Sequence, residues 1–292
     1  MADLRKKLDA NAPGDFFVDA TCIDCGACRW MCPDVFDAHG DYARVHAQPS
    51  PDRIGRALTA AVACPVASIG VGTHDLKAAS LHLPEPLEGA DPAHGVHYVG
   101  FHSKKSFGAA SWLIRRPGGN ILVDSPRLTP TLARRLEELG GVSILFLTHR
   151  DDVADHEKFR ERFGLTRILH QSDLSAATRG VEMQLTGTDP VPLGDDVQLI
   201  PVPGHTAGSV CLLYREKYLF TGDHLAFHGS GEQLIAFSRH CWYDWPTQIR
   251  SMEALSKYPF EWVLPGHGAP GRRASGEMER SMAELIAWMR RQ

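Results

Sequence analysis

Apolar positions along the chain form two kinds of stretch. Short, nearly continuous apolar runs bounded by glycine, proline or aspartate predict buried strands. These are Gly95 to Phe101, Ala109 to Arg115, Ile121 to Val123 after the turn Pro117-Gly-Gly-Asn120, Ser143 to Leu147, Arg167 to His170 and Val197 to Val202. Runs with helical spacing separate them. Thr129 to Leu139 places Leu132, Leu136 and Leu139 on one face and is closed by Gly140-Gly141. Glu157 to Phe163 and Thr247 to Lys257 predict further helices, and Glu277 to Arg290 is amphipathic through Met278, Met282, Leu285 and Met289. This alternation predicts an α/β domain with helices outside a sheeted core.

Upstream of Gly95 the pattern lapses. Leu81 to His94 carries three prolines with little periodicity and predicts an extended linker, with an alanine-rich helix, Asp52 to Ala63, ahead of it. The expected organisation is a small domain over residues 1–76, a proline-rich linker over 77–94 and a larger domain over 95–292. A length of 292 residues suits two cores. With 31 Lys and Arg against 35 Asp and Glu, and no basic stripe with interleaved aromatics, nucleic acid is not an expected partner. No apolar run reaches the length of a membrane span and Met1 to Phe16 has no apolar leader segment, so the expected location is the cytoplasm.

Five of the seven cysteines fall between Cys22 and Cys64. Cys22, Cys25, Cys28 and Cys32-Pro33 form C-x2-C-x2-C-x3-C-P, and Ala63-Cys64-Pro65 supplies a remote Cys-Pro. Three thiolates at that spacing wrap one side of an iron–sulfur cube, Gly26 permits the tight backbone, and a distant thiolate closes it. A structural zinc normally uses two separated pairs. Residues Phe16 to Gly72 resemble the bacterial-type ferredoxins, which implies a small α+β ferredoxin-like domain. A second cube lacks its own cysteines, so the expected count is one [4Fe–4S] cluster on Cys22, Cys25, Cys28 and Cys64. Cys32 is then a buried apolar residue.

The larger domain concentrates metal-binding residue types at strand ends. Thr148-His149-Arg150-Asp151-Asp152-Val153-Ala154-Asp155-His156 follows the apolar run Ser143 to Leu147. Three other pieces come later: Pro203-Gly204-His205-Thr206-Ala207-Gly208, Thr221-Gly222-Asp223 and Pro265-Gly266-His267. Taken singly these are a solvated acidic turn and ordinary glycine loops. In this order they resemble the metallo-β-lactamase superfamily, which implies an αββα sandwich with a dinuclear site at one edge of the two sheets. The resemblance implies His149 and His205 at one metal, Asp155, His156 and His267 at the other, and Asp223 bridging. Asp155 and Asp223 would orient the nucleophile in a hydrolytic member.

The chain departs from that pattern. Asp151 stands where the superfamily has a second histidine, and two extra residues precede Asp155-His156. Asp151 is the expected replacement ligand, with Asp152 as its substitute. A carboxylate there favours iron or manganese over zinc; flavodiiron proteins, on the same fold, also place a carboxylate at that position.

Of the neighbouring residues, His170 is expected to border the site or sit in the core. Solvent exposure is expected for His224, with the pocket as the alternative; core packing is expected for Trp242 and Trp245, with a substrate wall built from Ser238 to Trp245 as the alternative.

Three functions are in play. A redox enzyme would pass electrons from the cluster to a dinuclear site, iron favoured, that reduces or activates dioxygen, nitric oxide or a peroxide; a redox protein could supply the electrons. A hydrolase of the glyoxalase II or thioesterase kind would keep the cluster as a structural or sensing element. A non-enzymatic sensor or electron-transfer adaptor would have lost its second metal site.

Overall fold

A computed structural model describes residues 2–229 and 231–292. The N-terminal unit pairs Phe16–Val18 antiparallel with Ile69–Val71 and adds the hairpin Phe36–His39 and Tyr42–Val45. Two helices, Ala27–Met31 and Ile54–Ala63, pack against these strands. Gly26 enters the first of them in the left-handed region, φ 79°, which a side chain would oppose. Small residues on the second, Ala57, Ala60, Ala61 and Ala63, are buried and let the two helices approach.

The larger unit contains a seven-stranded and a six-stranded sheet, each mixing parallel and antiparallel pairs. In the first, Val96–Tyr98, Trp112–Ile114, Ile121–Val123, Ile144–Phe146, Thr166–His170 and Met183–Leu185 lie side by side in chain order. The second centres on Val197–Pro201, Val210–Tyr214, Tyr218–Gly222 and Trp262–Pro265. Two of its strands, Val210–Tyr214 and Trp262–Pro265, are apolar throughout because both faces are buried. Leu199, Leu212, Tyr214, Phe220 and Leu264 face the core shared with the first sheet. The alternating Ile200, Cys211, Leu213, Leu219 and Val263 pack against the helix side with Met278, Met282, Leu285 and Met289. Those methionines belong to Ser275–Met289, the amphipathic helix expected over Glu277 to Arg290.

The caps explain the other helix limits. Thr129 Oγ1 accepts the Leu132 N–H (3.1 Å) at the start of Pro130–Glu138. Asp244 Oδ2 accepts the Thr247 N–H (2.8 Å), so the helix expected from Thr247 begins earlier, as Trp245–Leu255.

The proline-rich run predicted as an extended linker is built into the fold. Leu76–Ser80 is a helix capped by Asp75, Leu83 is fully buried, and Glu85–Pro86 pairs with Val96–Tyr98 as the edge strand of the seven-stranded sheet. A proline is tolerated there because an edge strand needs hydrogen bonds on one side only. The two units share one continuous apolar core. Across their junction Tyr98 donates its hydroxyl to Met31 Sδ (3.4 Å), and Arg56 Nη1 pairs with Glu85 Oε1 (2.8 Å).

Candidate metal centre and cysteine cavity

Cys22, Cys25, Cys28 and Cys64 line one cavity in the N-terminal unit, together with Val18, Ile23, Gly26, Ala60, Val66 and Ile69. Backbone donors already point at the sulfurs: the Ala43 N–H lies 3.5 Å from Cys22 Sγ and the Ser68 N–H 3.3 Å from Cys64 Sγ. Burial pushes the Cys25 thiol up to about 12 and that of Cys28 well above the ordinary value. As thiolates, Cys25 and Cys28 therefore need a compensating positive charge in this cavity, which the iron of a cluster would supply. Cys32 lies outside the cavity, fully buried at the end of the first helix.

The second group forms where strands of both sheets end. Asp124 Oδ1, after Ile121–Val123, accepts the Thr148 N–H (2.8 Å) and the Thr148 hydroxyl (2.9 Å). With its proton committed there, Thr148 Oγ1 accepts from His149 Nδ1 (3.0 Å). His149 is thereby set in the tautomer that leaves a lone pair on Nε2, as a metal ligand requires. His149 and His205 stand edge to face with ring centroids 4.8 Å apart.

Four donors then converge. Asp151 Oδ2 is 3.9 Å from His149 Nε2 and 3.7 Å from His205 Nε2, and Asp223 Oδ2 is 3.8 Å from each. These separations exceed hydrogen-bond length. Donors about 2.1 Å from a shared tetrahedral ion lie about 3.4 Å apart, so a small contraction suffices to close them around one cation.

A second position adjoins the first. Asp152 is 1 % exposed and neither of its oxygens has a partner. One of its oxygens groups with a ring nitrogen of His149 and a carboxylate oxygen of Asp223, all within 4.8 Å of one another. Gly266 makes room: a Cβ there would lie 2.6 Å from Asp152 Oδ2 and 3.0 Å from Asp223 Oδ1. His267 donates from Nδ1 to Asp223 (2.9 Å), and its Nε2 is buried without a partner.

The orphaned atoms fit a cation site. The Nε2 atoms of His149, His205 and His267 and both oxygens of Asp152 are buried and unpaired, at a cost of about 1–3 kcal/mol each. Cations bound among them satisfy all five atoms. The chain's own electrostatics agree. Burial, then the neighbouring Asp223, hold the Asp152 carboxyl well above its usual range, and burial holds His149 down at about 4. Burial opposes charge on Asp223 and His267 as well, but their mutual attraction outweighs it: Asp223 is pulled below the carboxylate range and His267 raised to about 10.

Asp155 and His156, expected at the second metal, are placed elsewhere. Asp155 Oδ1 pairs with Lys105 Nζ and Lys158 Nζ (3.1 Å each), and its Oδ2 accepts the Leu128 N–H (3.2 Å). His156 Nδ1 lies 3.0 Å from Nη1 of the buried Arg167. Asp152, three positions after His149, stands beside His149 and Asp223 instead, and the helix His156–Phe163 starts only after the two extra residues. Asp151 and Asp152 both belong to the group, rather than one substituting for the other.

Further side chains support the centre. Asp173, three residues beyond the end of the strand Thr166–His170, accepts from the Arg150 N–H (2.9 Å) and Thr206 Oγ1 (2.6 Å) through Oδ2, and from the Gly208 N–H (2.8 Å) through Oδ1. It ties the loop bearing His149 and Asp151 to the loop bearing His205. Its position just past a strand end, like that of the other site residues, was the available signal. His170 faces away, donating from Nε2 to the Gly187 carbonyl (3.0 Å). His224, expected in solvent, is buried, and neither ring nitrogen has a partner. Trp242, expected in the core, is 56 % exposed; its ring centroid lies 6.4 Å from that of His205, and that of Phe107 lies 6.2 Å from that of His267. Trp245 is partly buried against the second core.

The chain was compared with known proteins. Residues 18–71 match the family described as 4Fe-4S single cluster domain of Ferredoxin I, and residues 106–267 match the Metallo-beta-lactamase superfamily. A hydroxyacylglutathione hydrolase of Rhizobium meliloti (strain 1021) is 35 % identical over 122 residues, covering 40 % of this chain and 47 % of that protein. One from Chelativorans sp. (strain BNC1) is 28 % identical over 152 residues, covering 50 % and 56 %. The chain thus spans about half the length of the curated relatives it matches. The metallo-beta-lactamase FIM-1 from Pseudomonas aeruginosa, solved in a mono-zinc form, superposes with TM-score 0.52 at 17 % identity over 70 % of this chain and 96 % of that one, a likeness of fold alone. Among the described residues no helix is long and apolar enough to cross a membrane. With the strand-end donors and the cysteine cavity in place, the chain belongs to the metallo-β-lactamase superfamily and carries a single-cluster ferredoxin-type domain ahead of the sandwich.

Proposed function

We propose that the protein is a metal-dependent oxidoreductase acting on a small molecule of the dioxygen, nitric oxide or peroxide class, with iron favoured in the dinuclear site. Bound in their sites, the cluster supplies one-electron carriage and the metal pair a Lewis-acidic, two-electron store. The observation that carries the reading is the donor set: Asp151, Asp152 and Asp223 stand beside His149, His205 and His267, so half the donors are carboxylates. Hard oxygen donors favour iron or manganese over zinc.

The chain's residues have separable tasks under this reading. Asp223, reaching both positions, sets the spacing between them. Thr148 and Asp124 hold the His149 tautomer, and Asp173 keeps the His205 loop in register with Asp151. Phe107 and Trp242, both more than half exposed, stand beside His267 and His205 and are placed to contact a substrate that reaches the metal group. Metal analysis with Mössbauer and EPR spectroscopy on anaerobically purified protein tests the proposal. Iron beyond the cluster's share, changing oxidation state on reduction, is expected; zinc in the second site with no redox change overturns it.

A second reading, hydrolysis of a thioester or ester, is favoured by the likeness to the hydroxyacylglutathione hydrolases. Asp152 and Asp223 would then orient a water towards the substrate carbonyl. Steady thioester hydrolysis that survives loss of the cluster supports this reading against the first.

A further inference from the structure

A single segment, His102–Ala110, touches the cysteine cavity at one side and the metal group at the other. The His102 N–H donates to the carbonyl of Ala63 (3.2 Å), the residue before Cys64. Gly108 lies against Cys25 so closely that a Cβ there would meet Cys25 Cβ at 2.7 Å and Sγ at 2.8 Å. The Ala110 N–H donates to the carbonyl of Gly266 (2.8 Å), the residue before His267. Between these anchors Phe107 places its ring 6.2 Å from the His267 imidazole. Phe107 adopts φ 46°, a strained conformation for a bulky residue, and its ring is 54 % exposed. Neither feature serves core packing, and strain held in place by surrounding hydrogen bonds is characteristic of functional positions. The segment is pinned internally as well, by Gly108 N–H to the Ser103 carbonyl (2.9 Å) and Ala109 N–H to the Ser106 carbonyl (2.8 Å).

We propose that Phe107 and Gly108 form the coupling contact between the two centres, carrying single electrons from the Cys25 side of the cluster to the His267 side of the metal group. The inference rests on the oxidoreductase reading. In each transfer the reduced cube loses one electron, returning from its +1 to its +2 state, and one iron(III) of the metal group gains it to become iron(II). No bond is made or broken in that step. The external donor is a one-electron reductant, dithionite in the experiment and a small redox protein as the expected physiological class. Glycine at position 108 serves the close approach to the cluster ligand, and the aromatic ring at 107 bridges to the imidazole.

The test uses the full chain with both centres loaded. The cluster is reduced rapidly with dithionite under anaerobic conditions, and the appearance of reduced metal is followed by freeze-quench EPR and Mössbauer spectroscopy. Wild type is expected to show a fast phase of metal reduction. Phe107→Ala is expected to lose that phase while retaining cluster and metal content, and Phe107→Tyr, which keeps the ring, to preserve it. Gly108→Ala, which crowds Cys25, is expected to shift the cluster's reduction potential. Because Gly108→Ala also crowds the junction itself, Phe107→Ala decides the matter. Fast reduction retained in Phe107→Ala overturns the coupling role while leaving the oxidoreductase reading intact. A wild-type metal site that does not change oxidation state overturns both.

Discussion

The cysteine cavity and the strand-end metal group are both built from donors that would repel or destabilise one another in an unliganded protein, yet they are assembled differently. Three of the four cavity cysteines lie within the single loop and short helix Cys22 to Cys28, so local spacing alone brings them together. The six donors of the other group run from His149 to His267 and are delivered by separate strand ends of two sheets. A local site tolerates little change in spacing. A site assembled from strand ends absorbs an insertion by changing which residue arrives: here Asp152 reaches the group and Asp155 turns away to Lys105 and Lys158.

The sharpest break of this comparison lies in the cavity. Cys28→Ala is expected to abolish the cluster, whereas Cys32→Ser is expected to retain it, as read by iron and acid-labile sulfide content; loss in both would return Cys32 to the ligand set. Next, Asp223→Ala is expected to remove most of the metal outside the cluster, and Asp152→Asn to weaken the second position. Asp155→Asn is expected to leave metal content unchanged and to cost about 1 kcal/mol through its partly exposed lysine pairs. Metal stoichiometry after dialysis separates the three, and metal loss in Asp155→Asn would restore the superfamily's usual ligand assignment.

A smaller effect is expected from Asp173→Ala, which frees the hydroxyl of Thr206 and the N–H groups of Arg150 and Gly208. Metal affinity should fall roughly 10–100-fold, as for other groups that orient ligands from behind, and stability should fall by about 2–3 kcal/mol. A competitive chelator titration and urea unfolding measure the two.

The smallest prediction concerns the residues left outside the group. Burial opposes charge on Glu182, but the Arg167 side chain and backbone N–H, together with Arg160, outweigh it and pull its carboxyl down to about 2. A depressed carboxylate stabilises the fold above its unfolded value near 4.5 and loses that contribution as pH falls towards 2. With solvent screening at this partly exposed group the contribution is about 1–2 kcal/mol. The stability difference between wild type and Glu182→Gln should therefore be full at pH 6 and shrink progressively below about pH 4.5. A difference constant across that range would detach Arg167, and with it His156, from this ion pair.

Much of the molecule was legible in the chain because the relevant forces are local or periodic. The C-x2-C-x2-C loop identified the cavity and its remote partner Cys64, and exclusion of Cys32 followed from counting thiols. Apolar runs ending in His149, Asp223 and His267 marked the strand ends, because a buried strand can expose polar donors only where it stops. Other features had no local signal. The proline-rich run around Glu85 became an edge strand because a sheet edge was available to it, and Trp242 lies exposed beside His205 rather than in the core.

The sequence by itself determined which residue types were available for chemistry and roughly where strands and helices would alternate, since periodicity and thiol spacing are properties of neighbouring residues. Only the tertiary structure decided which of Asp151, Asp152 and Asp155 turn inward. That choice depends on where Lys105, Lys158, Leu128 and Gly266 lie, and those positions are set by packing between segments distant in the chain. The same holds for Gly108 against Cys25: the approach of a glycine to a cluster cysteine across two units is a consequence of their shared core, which no local pattern encodes.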